Sequence, residues 1–208
     1  MIIAAMGDIH GNAKALDAVL DDIDSFGILT ILHTGDCVCG HDGNTEVLAT
    51  LQERNVPGAL GEWDHRLLRI VRKRKTLSNK LSEQDFAMLD AAYRQCSSSQ
   101  MEYLDNLVRL YTQTLDGISI ALCHGTLSSF RNSMSADNDD NVYLRQRELV
   151  PARIIINGRT HVAHSRTLGD TLFVNPGSVG MNEDGKARYA IISTESAKWD
   201  VDFREVSV

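Results

Sequence analysis

Short apolar runs along this chain alternate with stretches whose apolar residues recur at helical spacing. "IIAAM" at 2–6 reads as a strand, and Asn12 then caps a helix with Leu16, Val19, Leu20 and Ile23 on one face. "ILTIL" at 28–32 reads as a second strand, and Asn44 opens a helix carrying Val47, Leu48 and Leu51. "VPGAL" at 56–60 is a third strand, weakened by Pro57 and Gly58. From Arg66 to Thr114 the pattern turns helical and polar, with Ser82 and Glu83 at a helix start and "SSS" at 97–99 as a cap or loop. "ISIALC" (118–123), "RIIIN" (153–157), "TLFVN" (171–175) and "RYAIIS" (188–193) are further strands. "WDVDF" (199–203) alternates as a half-exposed edge strand does. No repeat or low-complexity linker interrupts the order. The pattern predicts an α/β fold in one domain over 1–208, with a largely helical segment at about 66–114 inside it.

Composition narrows the classes. A chain of 208 residues with 43% hydrophobic and 24% charged residues suits a soluble globular domain. A net charge of −7 argues against a general binder of nucleic acid or anionic membrane. The cysteines Cys37, Cys39, Cys96 and Cys123 form no CxxC pair, which removes a zinc knuckle and a disulfide framework from the expectations. No run reaches the roughly 18 apolar residues of a membrane span. "MIIAAM" has no basic leader, so a reducing cytoplasm is expected.

The chemistry lies where the predicted strands end. "GDIHG" brings Asp8 and His10, "TGD" brings Asp36, and "GEWDH" brings Glu62, Asp64 and His65. "CHG" brings His124, "GRTH" brings Arg159 and His161, and "NPGS" brings Asn175 and Ser178. Any one of these is ordinary turn chemistry; Asp64 or His164 alone reads as a surface residue. Six strand ends in succession are different, because sites in α/β sheets form at the carboxyl ends of strands. Mixed Asp and His ligands suit a hard or borderline divalent metal.

In this order and spacing, "GDIHGN", "GDCVCGHDGN", "GEWD", "CHG", "GRTH" and "NPGSVGMNEDGKARYAII" resemble the calcineurin-like metallophosphoesterases, in particular their small bacterial phosphodiesterase-like branch. The resemblance implies a four-layer αββα sandwich of two mixed sheets with flanking helices and two metals at one edge. It implies Asp8, His10 and His161 on the first metal, Asp36 as a bridge, and His124 on the second.

Two positions depart from that pattern. The family usually has Asn where Glu62 stands and His where Arg159 stands, both ligands of the second metal. Trp63 occupies the place of a His that some members carry as an acid. A guanidinium has no lone pair to donate, so Arg159 is no ligand. At an effective dielectric near 20, a dication about 4 Å from Arg159 would meet roughly 8 kcal/mol of repulsion. A Glu62–Arg159 ion pair meets the local need without a cation. The two departures read as one linked change.

The expectation is a metal-dependent phosphatase or phosphodiesterase in which metal-bound hydroxide attacks a small phosphate mono- or diester. One divalent transition metal per chain (Mn, Fe, Zn or Ni) is expected rather than two, with Arg159, His124 and Asp36 in catalytic roles. Glu62 stays open as a metal ligand. The rival expectation is a catalytically weak metal-binding member that works through ligand or protein binding. Nucleic acid enters only as a phosphodiester substrate, and a homo-oligomer is left open. Of the rest, His65 and His164 read as structural or surface residues, and His41 and Asp42 as a loop lining the entrance. The basic run Arg66, Arg69, Arg72, Lys73, Arg74 and Lys75 reads as a solvated helix face.

Overall fold

Alternation within the strands sorts their side chains onto two faces, and both faces are buried. In the computed structural model, which describes residues 1–195 and 199–208, β1 (Ile2–Met6) sends Ile3 and Ala5 one way and Ala4 and Met6 the other. The same split recurs in β4 (Ile118–Cys123), β5 (Ile154–Asn157) and β7 (Thr171–Asn175). Ile120, Leu122, Ile154, Ile156, Leu172 and Val174 join Ile3, Ala5, Ala190 and Ile192 in one core. That core lies between two sheets, since its members come from both. Strands buried on both faces lose the polar alternation and read as continuous apolar runs.

The first sheet has the order β2-β1-β8-β9, with β2 at Ile31–His33, β8 at Lys186–Ser193 and β9 at Asp200–Ser207. The second has the order β3-β4-β5-β7-β6, with β3 at Leu110–Leu115 and β6 at His164–Leu168. Each sheet mixes parallel and antiparallel pairs. Helices cover the outer faces. On the first sheet α1 (Ala13–Ser25) and α2 (Asn44–Glu53) bury Leu16, Val19, Leu20, Val47, Leu48 and Leu51 against Ala4 and Met6. On the second, α6 (Asp140–Leu149) packs Tyr143 against Phe173 and Ile155. Three cores separate four layers, the αββα sandwich expected.

The helical segment consists of α3 (Glu62–Ser78), α4 (Glu83–Gln95) and α5 (Ser98–Asn106). Ser82 and Ser97 cap α4 and α5 by accepting from Asp85 N and Gln100 N. Leu67, Ile70, Leu89, Ala92 and Leu104 fasten the three helices to the first core. Among the described residues no helix is long and apolar enough to cross a membrane.

Several boundaries differ from expectation. "VPGAL" forms only isolated bridges, Gly58 to His33 and Ala59 to Val108; Pro57 has no N–H to extend a ladder. The helical pattern ends before Thr114, because β3 occupies Leu110–Leu115. Asp116 and Gly117, both at positive φ, turn β3 into β4 as a two-residue hairpin. β6 and α6 were likewise not expected. β6 alternates half-buried and exposed positions on a sheet edge, a weak signal beside the buried runs.

Candidate metal centre

β1, β2, β4, β5 and β7 end at one edge of the sandwich, and their loops bring the polar strand ends together. Asp8 Oδ1 lies 3.3 Å from His161 Nε2, 3.9 Å from His10 Nε2 and 3.8 Å from His124 Nδ1. Asp36 Oδ2 lies 3.1 Å from His124 Nε2 and 3.9 Å from His10 Nε2. Two sets of ligand atoms, Asp8 with His10 and His161, and Asp8 with Asp36 and His124, each fall within 4.8 Å. Asp8 is common to both.

Asp8, Asp36, His10 and His124 are each held by a backbone group. Asp8 Oδ2 accepts from Arg159 N at 2.9 Å, and Asp36 Oδ1 accepts from Trp63 N at 2.7 Å. His10 Nδ1 donates to Cys39 O at 2.6 Å, and His124 Nδ1 donates to Thr34 O at 3.2 Å. These bonds turn the two Nε2 atoms toward the carboxylates, the outer support that metal-ligating histidines use. The remaining oxygen of Asp8 is the telling one. Asp8 Oδ1 is buried and has no hydrogen-bond partner, a costly state for a carboxylate. A divalent cation fits this donor set and would relieve the cost.

The loops are bent to do this. Asp8, His10, Asp36, Arg159 and His161 all have positive φ, between 50° and 74°. Such backbone costs about 1 kcal/mol or more per non-glycine residue and gathers at functional sites. Two glycines allow the close approach. A Cβ on Gly61 would fall 2.2 Å from Asp36 Oδ1, and one on Gly158 would fall 2.7 Å from Asp8 Oδ2.

Charge coupling follows from burial. Burial alone would push the Asp36 carboxyl up, but His124, His10 and the Trp63 N–H together hold it below the usual carboxylate range. Burial alone would likewise lower His124, and the carboxylates Asp36, Asp8 and Asp64 raise it instead.

On the other side of the cavity Arg159 Nη1 donates to Glu62 Oε2 at 2.6 Å, the pairing expected from the sequence. Arg66 Nη2 donates to the second oxygen, Oε1, at 2.7 Å. Both Glu62 oxygens are therefore committed to guanidiniums. The shared cavity, about 620 Å³, is lined by His10, Asp36, Glu62, His124, Arg159 and His161, with Gln84, Asp85 and Met88 of α4 on its wall.

The profile of the calcineurin-like phosphoesterase superfamily domain matches residues 1–197. The chain belongs to this superfamily. An uncharacterized protein of Methanocaldococcus jannaschii is 24% identical over 220 residues, covering 96% of this chain and 86% of the relative. The crystal structure of a hypothetical protein of Pyrococcus horikoshii superposes with a TM-score of 0.87 at 20% identity, over 99% of this chain and 88% of that one. A metallophosphoesterase of Sphaerobacter thermophilus superposes with a TM-score of 0.73 at 21% identity, over 100% and 88%. At such identities the likeness of these structures is one of fold.

Within this phosphoesterase domain the other sequence candidates separate. Asn175 and Ser178 brace loops: Asn175 Nδ2 donates to Gly158 O and Ser178 Oγ to Asp8 O, each at 2.8 Å. His164 lies away from the cluster and meets Tyr143 Oη at 3.0 Å. His41 bonds Gly180 O and lines a neighbouring cavity with Asn12 and Met181. Cys37 and Cys39 are packed, with their thiols pushed up by burial.

Asp64 corrects the surface reading. It is fully buried and accepts from Cys37 N at 2.9 Å, Val38 N at 3.3 Å and Gly61 N at 3.0 Å. It ties the Asp36 loop to the start of α3, and burial followed by the Asp36 charge raises its pKa. The signal was an acid three residues after the Gly61 cap, where a helix N-terminus favours one.

Proposed function

We propose that the chain is a metal-dependent hydrolase of phosphate mono- or diesters that uses one divalent metal and an arginine. The observation that carries this reading is the unpartnered Asp8 Oδ1, buried among His10, His161 and His124. Asp8, His10, His161 and Asp36 would hold the cation, whether Mn, Fe, Zn or Ni. When bound, it supplies an activated water and polarises a phosphoryl oxygen.

The chain's own groups do the rest. Arg159 spends one nitrogen on Glu62; its other N–H groups clamp phosphoryl oxygens as charge builds on them. Glu62 orients that fork, and Arg66 holds Glu62 in turn. His124 hydrogen-bonds the phosphate or holds a weak second ion. A cavity of about 620 Å³ is of a size for a small ester. A cytoplasmic location is part of the proposal on its own ground, four cysteines that form no disulfide, and a homo-oligomer is left open.

A second reading has its own support. An ion pair filling the place of the second metal is also what a catalytically weak, binding-only member would carry. Metal content per chain, measured beside turnover of an aryl phosphate diester with manganese, separates the two. One metal per chain with manganese-dependent turnover is expected. Bound metal without turnover under Mn, Fe, Zn or Ni returns the binding reading.

A further inference from the structure

A second concavity of about 740 Å³ adjoins the metal centre and shares Glu62 and Arg159 with it. Its lining brings together Arg66, Arg69 and Lys73 of α3, Lys80, Arg109, Arg131 and Arg159. Seven cationic groups thus face one carboxylate, Glu62, in a chain whose net charge is −7. They come from four separate segments, so a single amphipathic helix does not account for them.

The bland alternative is a solvated basic face, and the partners argue against it. Arg74, from the same basic run, points elsewhere and is neutralised by Asp90 at 2.6 Å. Among the described residues, Arg69, Lys73, Lys80, Arg109 and Arg131 have no carboxylate within 4.0 Å, and Glu62 is already shared by Arg66 and Arg159. Arg109 lies over the Phe130 ring at 4.5 Å and donates to Ser128 O, so its guanidinium is held at the rim. Like charges gathered in one hollow repel one another. From Arg66 to Lys73 the helix advances about 10 Å, more than one phosphate spans.

We infer that this groove binds an oligophosphate chain, so that the substrate is a phosphate ester carrying further phosphates on one side of the reacting phosphorus. The inference rests on the hydrolase reading only for where the ester reacts; the groove's anion binding stands apart from turnover. Arg159, at the junction, touches the reacting phosphate. Arg69, Lys73 and Arg131 then hold the tail, whose negative charge offsets their mutual repulsion.

The test uses metal-free protein and inorganic tripolyphosphate, followed by calorimetry at low and high salt. Wild type binds, with affinity falling steeply as salt rises. The variant Arg69→Ala/Lys73→Ala/Arg131→Ala loses about two- to fivefold per cation removed, about 10- to 100-fold together. Arg72→Ala/Lys75→Ala, on the same helix outside the groove, keeps wild-type binding, and thermal melts check that both variants fold. With metal restored, the kcat/KM ratio of an aryl ester of triphosphate over the aryl monophosphate falls in the triple variant. Equal binding by wild type and triple variant, or an equal loss in the control, overturns the groove. A single-stranded oligonucleotide that binds more tightly than tripolyphosphate overturns the small-ligand assignment. Absence of turnover with tripolyphosphate binding intact overturns the hydrolase reading and leaves the groove standing.

Discussion

Asp8 Oδ1 is buried without a hydrogen bond beneath the cavity that His10, His124 and His161 line, whereas the Glu62 carboxylate on the wall of the same cavity has both oxygens taken by guanidiniums. Asp8 follows β1 and is fully buried, whereas Glu62 opens α3 and is only half-buried with its two arginines. On the Asp8 side backbone groups orient Asp8, His10, Asp36 and His124 through one atom of each. On the Glu62 side one carboxylate is shared by two guanidiniums, so both its oxygens are taken and the group keeps a net positive charge. A buried carboxylate oxygen without a hydrogen bond suits a cation, whereas a carboxylate shared by two guanidiniums has no free oxygen to offer one.

The largest effect should come from removing the uncompensated atom. Asp8→Ala lowers metal content to a small fraction of wild type and turnover by about 10³ or more. A variant that keeps both would break the comparison at its root, and metal analysis with steady-state kinetics decides it. Next is Arg159→Ala, expected to cut turnover about 10²–10³ while metal content holds. Arg159→Lys recovers part of that loss, because an ammonium lacks the planar fork. If Arg159→Ala turns over like wild type, the clamp has no place in the chemistry.

Rebuilding the paired side sharpens the contrast. Glu62→Asn with Arg159→His replaces the ion pair by two neutral ligand types, and metal content should rise from about one to about two per chain. An unchanged stoichiometry would mean that the pair is not what keeps a second cation out. The smallest effect concerns a buried histidine outside the cluster. His33 accepts from Gly35 N at Nδ1 and meets Tyr103 Oη through Nε2, so nothing about it calls for a metal. Burial lowers its pKa from 6.5 to about 4. Its neutral form therefore supports the fold fully above pH 6.5, and that support is lost as pH falls through the window to about 4. The loss should reach about 3 kcal/mol. Denaturant melts of metal-free wild type and His33→Gln across that window check it: the variant's stability should depend less on pH, and parallel curves would refute the assignment.

Much of this was legible without coordinates. The apolar runs at β1, β4, β5, β7 and β8 are buried on both faces, so composition alone marks them. That Asp8, His10, Asp36, His124 and His161 share one edge was legible because each follows closely on the end of a strand. β3 and β6 were missed because edge strands bury one face only, and their mixed sequences resemble helix or loop. Asp64 was misplaced because a carboxylate looks the same in sequence whether it meets water or three backbone N–H groups.

By itself, then, the order of residues determined the layers, the edge at which the polar groups gather and the incompatibility of Arg159 with ligation, since these depend on local period and on side-chain chemistry. The tertiary structure decided which atoms remain free. Arg159 N, 151 positions away, bonds Asp8 Oδ2 while no donor reaches the buried Oδ1, and Glu62 is closed because Arg66 and Arg159 reach it from two different elements. The groove is a product of the same kind. Cations as distant in sequence as Arg69 and Arg159 line one hollow because the fold brings their segments together, and a spatial sum of charge has no counterpart along the chain.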